Sequence, residues 1–376
     1  MGGLRVVVDD FDRGGPLTMA AGMSGRQPRS ARADRGTARV PQGTVVPARQ
    51  NVRPGRTQSM NRDVFADRFD AIVANIGKVI QGKTDEVRMV LVALVADGHV
   101  LLEDMPGTGK TMMARSIAQS IDATTNRVQC TPDLLPSDVT GSPIFDQKTQ
   151  SFSFREGPVF ANVLLVDEIN RATPKTQSSL LEAMQERRVT IDATTYRLPR
   201  PFLVLATQNP IELAGTFPLP EAQLDRFLLK LTPGYPDREA EISVLRTNKA
   251  KEVIDDLQPV VNTQTVVDMM TWATGVSVSP SMEAYIVDLC QATRTDPALM
   301  MGASTRAALA LMRAGRVLAA SQGREDVLPD DVKALIKPVL SHRLILTPDA
   351  GLREETVENV VERIIARVKI PVGAQG

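Results

Sequence analysis

The stretch His99–Thr111, HVLLEDMPGTGKT, constrains this chain more than any other. His99 to Glu103 is a short apolar run of the kind that fills a buried parallel strand. It breaks into Met105-Pro106-Gly107-Thr108-Gly109, a composition suited to a tight turn. From Lys110 a helical pattern follows, with Met113, Ile117 and Ile121 on one face. A strand, a glycine loop and a helix that opens on Lys-Thr make a phosphate-binding loop. In such a loop Met105, Pro106, Gly107, Thr108 and Gly109 cradle the phosphates against the helix N-terminus. Lys110 reaches the β- and γ-phosphates, and the Thr111 hydroxyl sits on Mg²⁺. The full pattern G-x-x-x-x-G-K-[ST] asks for glycine where this chain has Asp104. A carboxylate there repels a triphosphate unless its side chain turns away. A chance Gly-Lys-Thr on a surface turn would lack both the strand before and the helix after.

The rest of the composition narrows the class. The 376 residues allow two or three domains with a sizeable core. Lys+Arg and Asp+Glu both number 44, so no global field points to nucleic acid or a membrane surface. Cys130 and Cys290 each sit in an apolar pattern, which favours buried free thiols over a disulfide. With only His99 and His342 beside them, no usual zinc spacing exists. The chain has no run of 18 apolar residues and no basic start followed by an apolar core, so it reads as cytoplasmic.

Residues 1–60 differ from the remainder, with ten arginines, no lysine and no sustained periodicity. That is the composition of a disordered basic extension, read here as a solvated tail rather than a binding arm. Phe65, Phe69, Ile72 and Ile76 then repeat at helical spacing. Val87, Val90, Leu91 and Leu94 mark a second helix, which Gly98 is expected to close. A second strand is expected at Arg127–Thr131, and alternation from Gly141 to Pro158 reads as a projecting hairpin.

Val163-Leu164-Leu165-Val166-Asp167-Glu168 supplies the second piece that phosphate chemistry needs. A buried strand delivers Asp167 to the Mg²⁺ shell, and Glu168 beside it polarises the attacking water. A helix over Gln177–Gln185, a hairpin of Arg188–Ile191 with Thr195–Leu198, and a strand Phe202–Ala206 follow. That strand ends in Thr207-Gln208-Asn209, where Asn209 either holds the lytic water or starts a turn with Pro210. Phe227–Leu231 reads as a last strand. Past Pro233-Gly234-Tyr235-Pro236, a linker by composition, the pattern turns helical through Val266–Trp272, Met282–Ala292, Ala303–Ala320 and Val332–Leu340. Ser304 is placed to cap the longest helix. Arg306 in its first turn opposes the helix dipole, which points to an anionic partner, with an ordinary surface arginine as the alternative.

With these residues in place, the chain resembles the MoxR family of AAA+ ATPases. The resemblance rests on MPGTGKT at 105–111, EGPVFANVLLVDEINRA at 156–172, KTQSSLLEAMQE at 175–186, ATQNP at 206–210, EAQLDRF at 221–227 and GASTRA at 302–307. It covers residues 65 to 370 and departs from the family at Asp104. It implies an α/β fold: a P-loop AAA+ αβα nucleotide-binding domain with a parallel sheet over 61–235, then a smaller all-helical lid over 236–376. It further implies ATP with Mg²⁺ held at Thr111 and Asp167, and ring hexamers with ATP between subunits. Family members remodel protein partners, often ones with a von Willebrand factor A domain, and several support metal-cofactor insertion.

The expected activity is therefore ATP hydrolysis coupled to remodelling of a protein client. Glu168 and Asn209 position water, Arg226 reaches a neighbour's nucleotide, and Arg306 folds over the nucleotide of its own chain. Two rivals stand beside this reading. Asp104 could leave a nucleotide-gated scaffold with negligible turnover, against which the retained Asp167–Glu168 pair argues. A nucleic-acid motor would want more aromatic surface than Tyr196 alone offers beside Arg187, Arg188 and Arg197.

Overall fold

In a computed structural model, the chain is described over residues 59–103, 108–148, 150–209, 215–235, 238–239, 241–242 and 254–371. The expected N-terminal extension therefore lies outside the described residues. Asn61 caps the first helix by accepting a 2.9 Å hydrogen bond from the Val64 N–H. Helices α1 (Arg62–Gly77) and α2 (Thr84–Val95) lead to strand β1 (Val100–Glu103) and helix α3 (Lys110–Ser120). Strand β2 (Thr125–Gln129), helix α4 (Pro136–Thr140) and the hairpin β3 (Gly141–Asp146) and β4 (Ser151–Glu156) come next. Then follow β5 (Val163–Asp167), α5 (Pro174–Glu186), the hairpin β6 (Arg188–Ile191) and β7 (Thr194–Arg197), β8 (Leu203–Gln208), α6 (Glu221–Leu224) and β9 (Leu229–Leu231).

Strands β1, β2, β5, β8 and β9 form one parallel sheet in the order β2-β5-β8-β1-β9. Successive residues in a strand face opposite sides, and the two cores divide along that rule. Val100, Leu102, Val163, Leu165, Leu203 and Leu205 enter the core shared with α1, α2 and α3. Leu101, Leu164, Val166, Val204 and Ala206 enter the core under α5. Helices on both faces of a parallel sheet are the expected αβα layering.

The C-terminal part contains α7 (Thr263–Ala273), α8 (Pro280–Arg294), β10 (Leu299–Met301), α9 (Thr305–Ser321), α10 (Pro329–Leu340), β11 (Ile345–Leu346), α11 (Pro348–Leu352) and α12 (Val357–Arg367). Its helices bury Val266, Met269, Leu289, Leu311 and Leu335 in the same core as Phe65 and Phe69. A short antiparallel ladder of β10 with β11 is added to the helices expected there.

Local expectations shift in instructive ways. The second strand begins two residues earlier than expected, at Thr125. Gly98 does not supply the left-handed residue after α2; Asp97 does, at φ 55°. The Gly98 N–H instead bonds the Ala93 carbonyl at 2.8 Å, completing a Schellman-type closure. Glycine is needed at 98 for space, since a Cβ there would lie 2.5 Å from the Leu228 side chain.

Candidate functional site: a phosphate cleft and an arginine cluster

Strands of a parallel sheet all end on one edge, and ligands of such sheets sit in the crevice beyond those ends. Here β1 is followed by α3, whose first residue is Lys110. Gly109 precedes it at φ 89°, a conformation that opens the helix N-terminus and that side chains rarely adopt. Asp104, Met105, Pro106 and Gly107 lie outside the described residues. Thr108, Gly109, Lys110 and Thr111 line a cleft of about 230 Å³ together with Asp167, Glu168 and Asn209. Three separate strand ends thus bring together the residues expected there.

Thr207 organises the acidic side of the cleft. Its hydroxyl accepts from the Glu168 N–H at 2.8 Å and donates to Asp167 Oδ1 at 3.1 Å. Glu168 takes a left-handed backbone at φ 55°, a strain of roughly 1–3 kcal/mol for a residue with a Cβ. Its carboxylate pairs with Arg171 at 3.0 Å. On the neighbouring strand Arg127 grips Asp167 Oδ2, at 2.8 Å from Nε and 2.7 Å from a terminal nitrogen. Sequence reading assigned no role to Thr207 or Arg127. The alternation on β2 was the available signal for Arg127, since it shares a face with Gln129 at the strand end.

Two further groups frame the cleft. Lys83 is 3% exposed, and its ammonium donates to the Thr108 carbonyl at 3.2 Å and the Gly234 carbonyl at 2.9 Å. It ties the phosphate-side turn to the chain leaving the nucleotide domain. Cys130 is a buried free thiol. Burial, then the charges of Asp167 and Glu168, push its pKa up to about 12, so it stays protonated and unreactive.

The donor set fits Mg²⁺ as a nucleotide brings it. A carboxylate and a hydroxyl are hard oxygen donors, and Mg²⁺ fills its remaining positions from water and phosphate. Among the described residues no group of three or more His, Cys, Asp or Glu forms a metal cage.

The two expected arginines are elsewhere. The Leu228 N–H bonds the His99 carbonyl at 2.8 Å, and Leu229 pairs with Val100. Asp225 and Arg226 therefore lie at the N-terminal end of β1. That end is roughly 13 Å from the other for four residues at about 3.3 Å each. Arg306 lies there too, 3.4 Å from Asp225, and lines the same cavity as Arg226, Arg187, Arg313 and Arg343. Arg306 thus does not fold over the phosphate cleft of its own chain. The physical reason is how the C-terminal helices dock: they bury their apolar faces against α1 and α2, which sets the start of α9 beside Asp225.

Arg343 fixes that arrangement. Its side chain is 3% exposed, and burial lowers its pKa while Asp225 opposes the shift. From the turn after α10, its guanidinium donates to Asp225 Oδ1 at 2.6 Å, to the Asp225, Phe227 and Leu228 carbonyls, and back to the Val339 carbonyl near the end of that helix. Nearby His99 accepts from the Val204 N–H on Nδ1 at 3.0 Å, and its Nε2 lies 3.0 Å from the Met184 carbonyl and 2.6 Å from an Arg187 guanidinium nitrogen. Burial, then the Arg187 charge, holds its pKa well below the ordinary value.

Comparison with known proteins agrees with this architecture. Residues 99–229 match the model of the ATPase family associated with various cellular activities (AAA), and 291–364 match the AAA lid domain. The chain is 47% identical to the uncharacterized protein YeaC of Bacillus subtilis over 80% of this chain and 94% of that protein. It is 39% identical to Chaperone MoxR1 of Mycobacterium tuberculosis, over 88% of this chain and 89% of the relative. Protein MoxR of Paracoccus denitrificans is 32% identical, over 81% and 96%. A crystal structure of a candidate ATPase from Cytophaga hutchinsonii aligns with TM-score 0.78 at 38% identity, covering 82% of this chain and 97% of that one. No helix among the described residues is long and apolar enough to cross a membrane. The parallel sheet with its phosphate cleft, the lid behind it and these relatives assign the chain to the MoxR family of AAA+ ATPases.

Proposed function

We propose that this protein hydrolyses ATP as part of a ring, probing and remodelling a protein client with the motion that hydrolysis drives. The observation that carries this reading is the division of charged groups between the two ends of β1. Lys110, Thr111, Asp167, Glu168 and Asn209 share one cleft, while Arg226 and Arg306 share another at the far end.

In this reading the turn before α3 and Lys110 hold the phosphates. Thr111 and Asp167 would hold Mg²⁺, which would supply positive charge against the phosphates. Glu168 leaves Arg171 to orient the attacking water, with Asn209 assisting. Thr207 keeps Asp167 and Glu168 in register. Charge on the transferring phosphoryl is met by arginines, and geometry favours both arginines coming from an adjacent subunit. The nucleotide domain (61–235) and lid (236–376) form one protomer, and a hexamer is the ring size that the family resemblance supports. Chaperone-like action is supported by the name of the Mycobacterium tuberculosis relative. A client with a von Willebrand factor A domain, and a role in metal-cofactor insertion, rest on that resemblance as well.

Steady-state phosphate release at saturating Mg·ATP tests the hydrolysis. Turnover that Glu168→Gln abolishes, with ATP binding retained, sustains the reading. Wild-type protein that binds ATP without turnover would replace it with a nucleotide-gated scaffold. Co-purification on Glu168→Gln protein then identifies the client.

A further inference from the structure

Arg127 stands where the proposed metal site needs an open carboxylate. It lies on β2, the edge strand, paired in register with Leu165, while Gln129 pairs with Asp167. Residues two apart on a strand share a face, so the Arg127 side chain runs along that face toward Gln129 and the strand end. Two guanidinium nitrogens, at 2.8 and 2.7 Å, engage the same oxygen, Asp167 Oδ2, and a third contact goes to the Gln129 amide oxygen at 2.9 Å. The other carboxylate oxygen, Oδ1, already accepts from Thr207. Both oxygens of Asp167 are therefore engaged by protein.

We infer that Arg127 is a positioning residue that occupies the metal-binding oxygen of Asp167 until nucleotide arrives, making entry of the divalent cation conditional on phosphate. The inference rests on the reading of Asp167 as a Mg²⁺ ligand. A guanidinium and a divalent cation on one oxygen repel each other at short range in a partly buried setting, where screening is weak. One of them must leave. The Asp167 side chain is only 12% exposed, whereas that of Arg127 is 53% exposed, so Arg127 is the partner with room to move. It lines the same cleft as Lys110 and Thr111. A triphosphate entering that cleft offers the displaced guanidinium a new anion, and bare metal does not. The exchange involves no covalent step: one ion pair is traded for another.

Binding of Mn²⁺ to the full-length protein, followed by the EPR signal of free Mn²⁺, tests this. Without nucleotide, Arg127→Ala should bind Mn²⁺ about tenfold more tightly than wild type, and a non-hydrolysable ATP analogue should close most of that gap. Arg127→Gln, which keeps a donor and drops the charge, should tighten binding too, and it guards against a folding defect in the alanine variant. An ion pair that merely joins β2 to β5 would lower the melting temperature and leave Mn²⁺ affinity unchanged. Adding Asp167→Asn to each background must remove the binding. If it does so while Arg127→Ala and Arg127→Gln match wild type within about twofold, the exchange is overturned and the metal site stands. If Mn²⁺ binding survives Asp167→Asn, the metal reading of Asp167 falls and the exchange falls with it.

Discussion

At the C-terminal end of β1, two carboxylates and a lysine converge on an open cleft that no lid arginine lines among the described residues. At its N-terminal end, Arg187, Arg226, Arg306, Arg313 and Arg343 gather around Asp97 and Asp225. In the proposed reading the first end takes up a polyanion and the second completes it. Among the described residues each holds what the other does not, and about 13 Å of strand keeps them apart within one chain. Half-sites at opposite ends of one element are geometrically suited to head-to-tail assembly, in which one subunit's arginines meet the next subunit's cleft.

The largest effects should come from breaking either half. Lys110→Ala and Arg226→Ala should each lower the ATPase rate by about 10³–10⁵-fold, the range seen when a finger arginine is absent. Mixing the two variants under exchange conditions should restore part of the rate. Arg306 sharpens the comparison. A residue serving its own chain would give no recovery when Arg306→Ala is mixed with Lys110→Ala, whereas its place beside Arg226 makes recovery the expected outcome. Absence of recovery in both mixtures, with subunit exchange demonstrated, would remove the assignment of these arginines to a neighbour.

Next in size, Glu168→Gln should retain ATP binding and lose about 10²–10⁴-fold in hydrolysis, as for a general base. Loss of binding in that variant would place Glu168 in the metal shell instead. At the other end Asp225→Ala should destabilise the fold by about 3–5 kcal/mol in urea titration, because it strands the buried Arg343 guanidinium. A change under 1 kcal/mol would mean that the backbone carbonyls around Arg343 suffice.

The smallest expected effect is a pH dependence confined to the arginine end. His99 and His342 are buried with lowered pKa values, desolvation being the first cause for both. The unfolded chain takes up protons below about 6.5 while the folded chain does not. Stability should therefore fall as pH drops below about 6.5, at up to about 1.4 kcal/mol per pH unit for each histidine. His99→Gln should flatten the slope by about one proton; an unchanged slope would assign the titration elsewhere.

The cleft was more legible in the sequence than the arginine end, and the reason is the range of the forces involved. Lys110, Asp167 and Asn209 sit where short apolar strands stop, and strand ends are local features of hydropathy. The start of α5 was available in the same way, since Pro174 follows the capping Thr173, although periodicity alone placed the helix three residues late. Strand order is not local: β1 lies between β8 and β9 because of packing across the sheet. Arg306 was misplaced for the same reason, because a helix pattern reveals which face is apolar and not which core that face enters. Helix α12 went unread despite a capping Thr356 and the buried trio Val360, Val361 and Ile364.

Arg343 carries one more consequence. A buried guanidinium that joins four backbone carbonyls and a carboxylate removes rotamer freedom from the surface it supports before any second subunit approaches. Groups already held in place pay no reorganisation when charge develops opposite them. A lysine at 343 would keep the charge but could not span the same fork of acceptors. In the proposed ring, the stiffness of the arginine end, more than its charge, would set how sharply one subunit senses its neighbour's nucleotide.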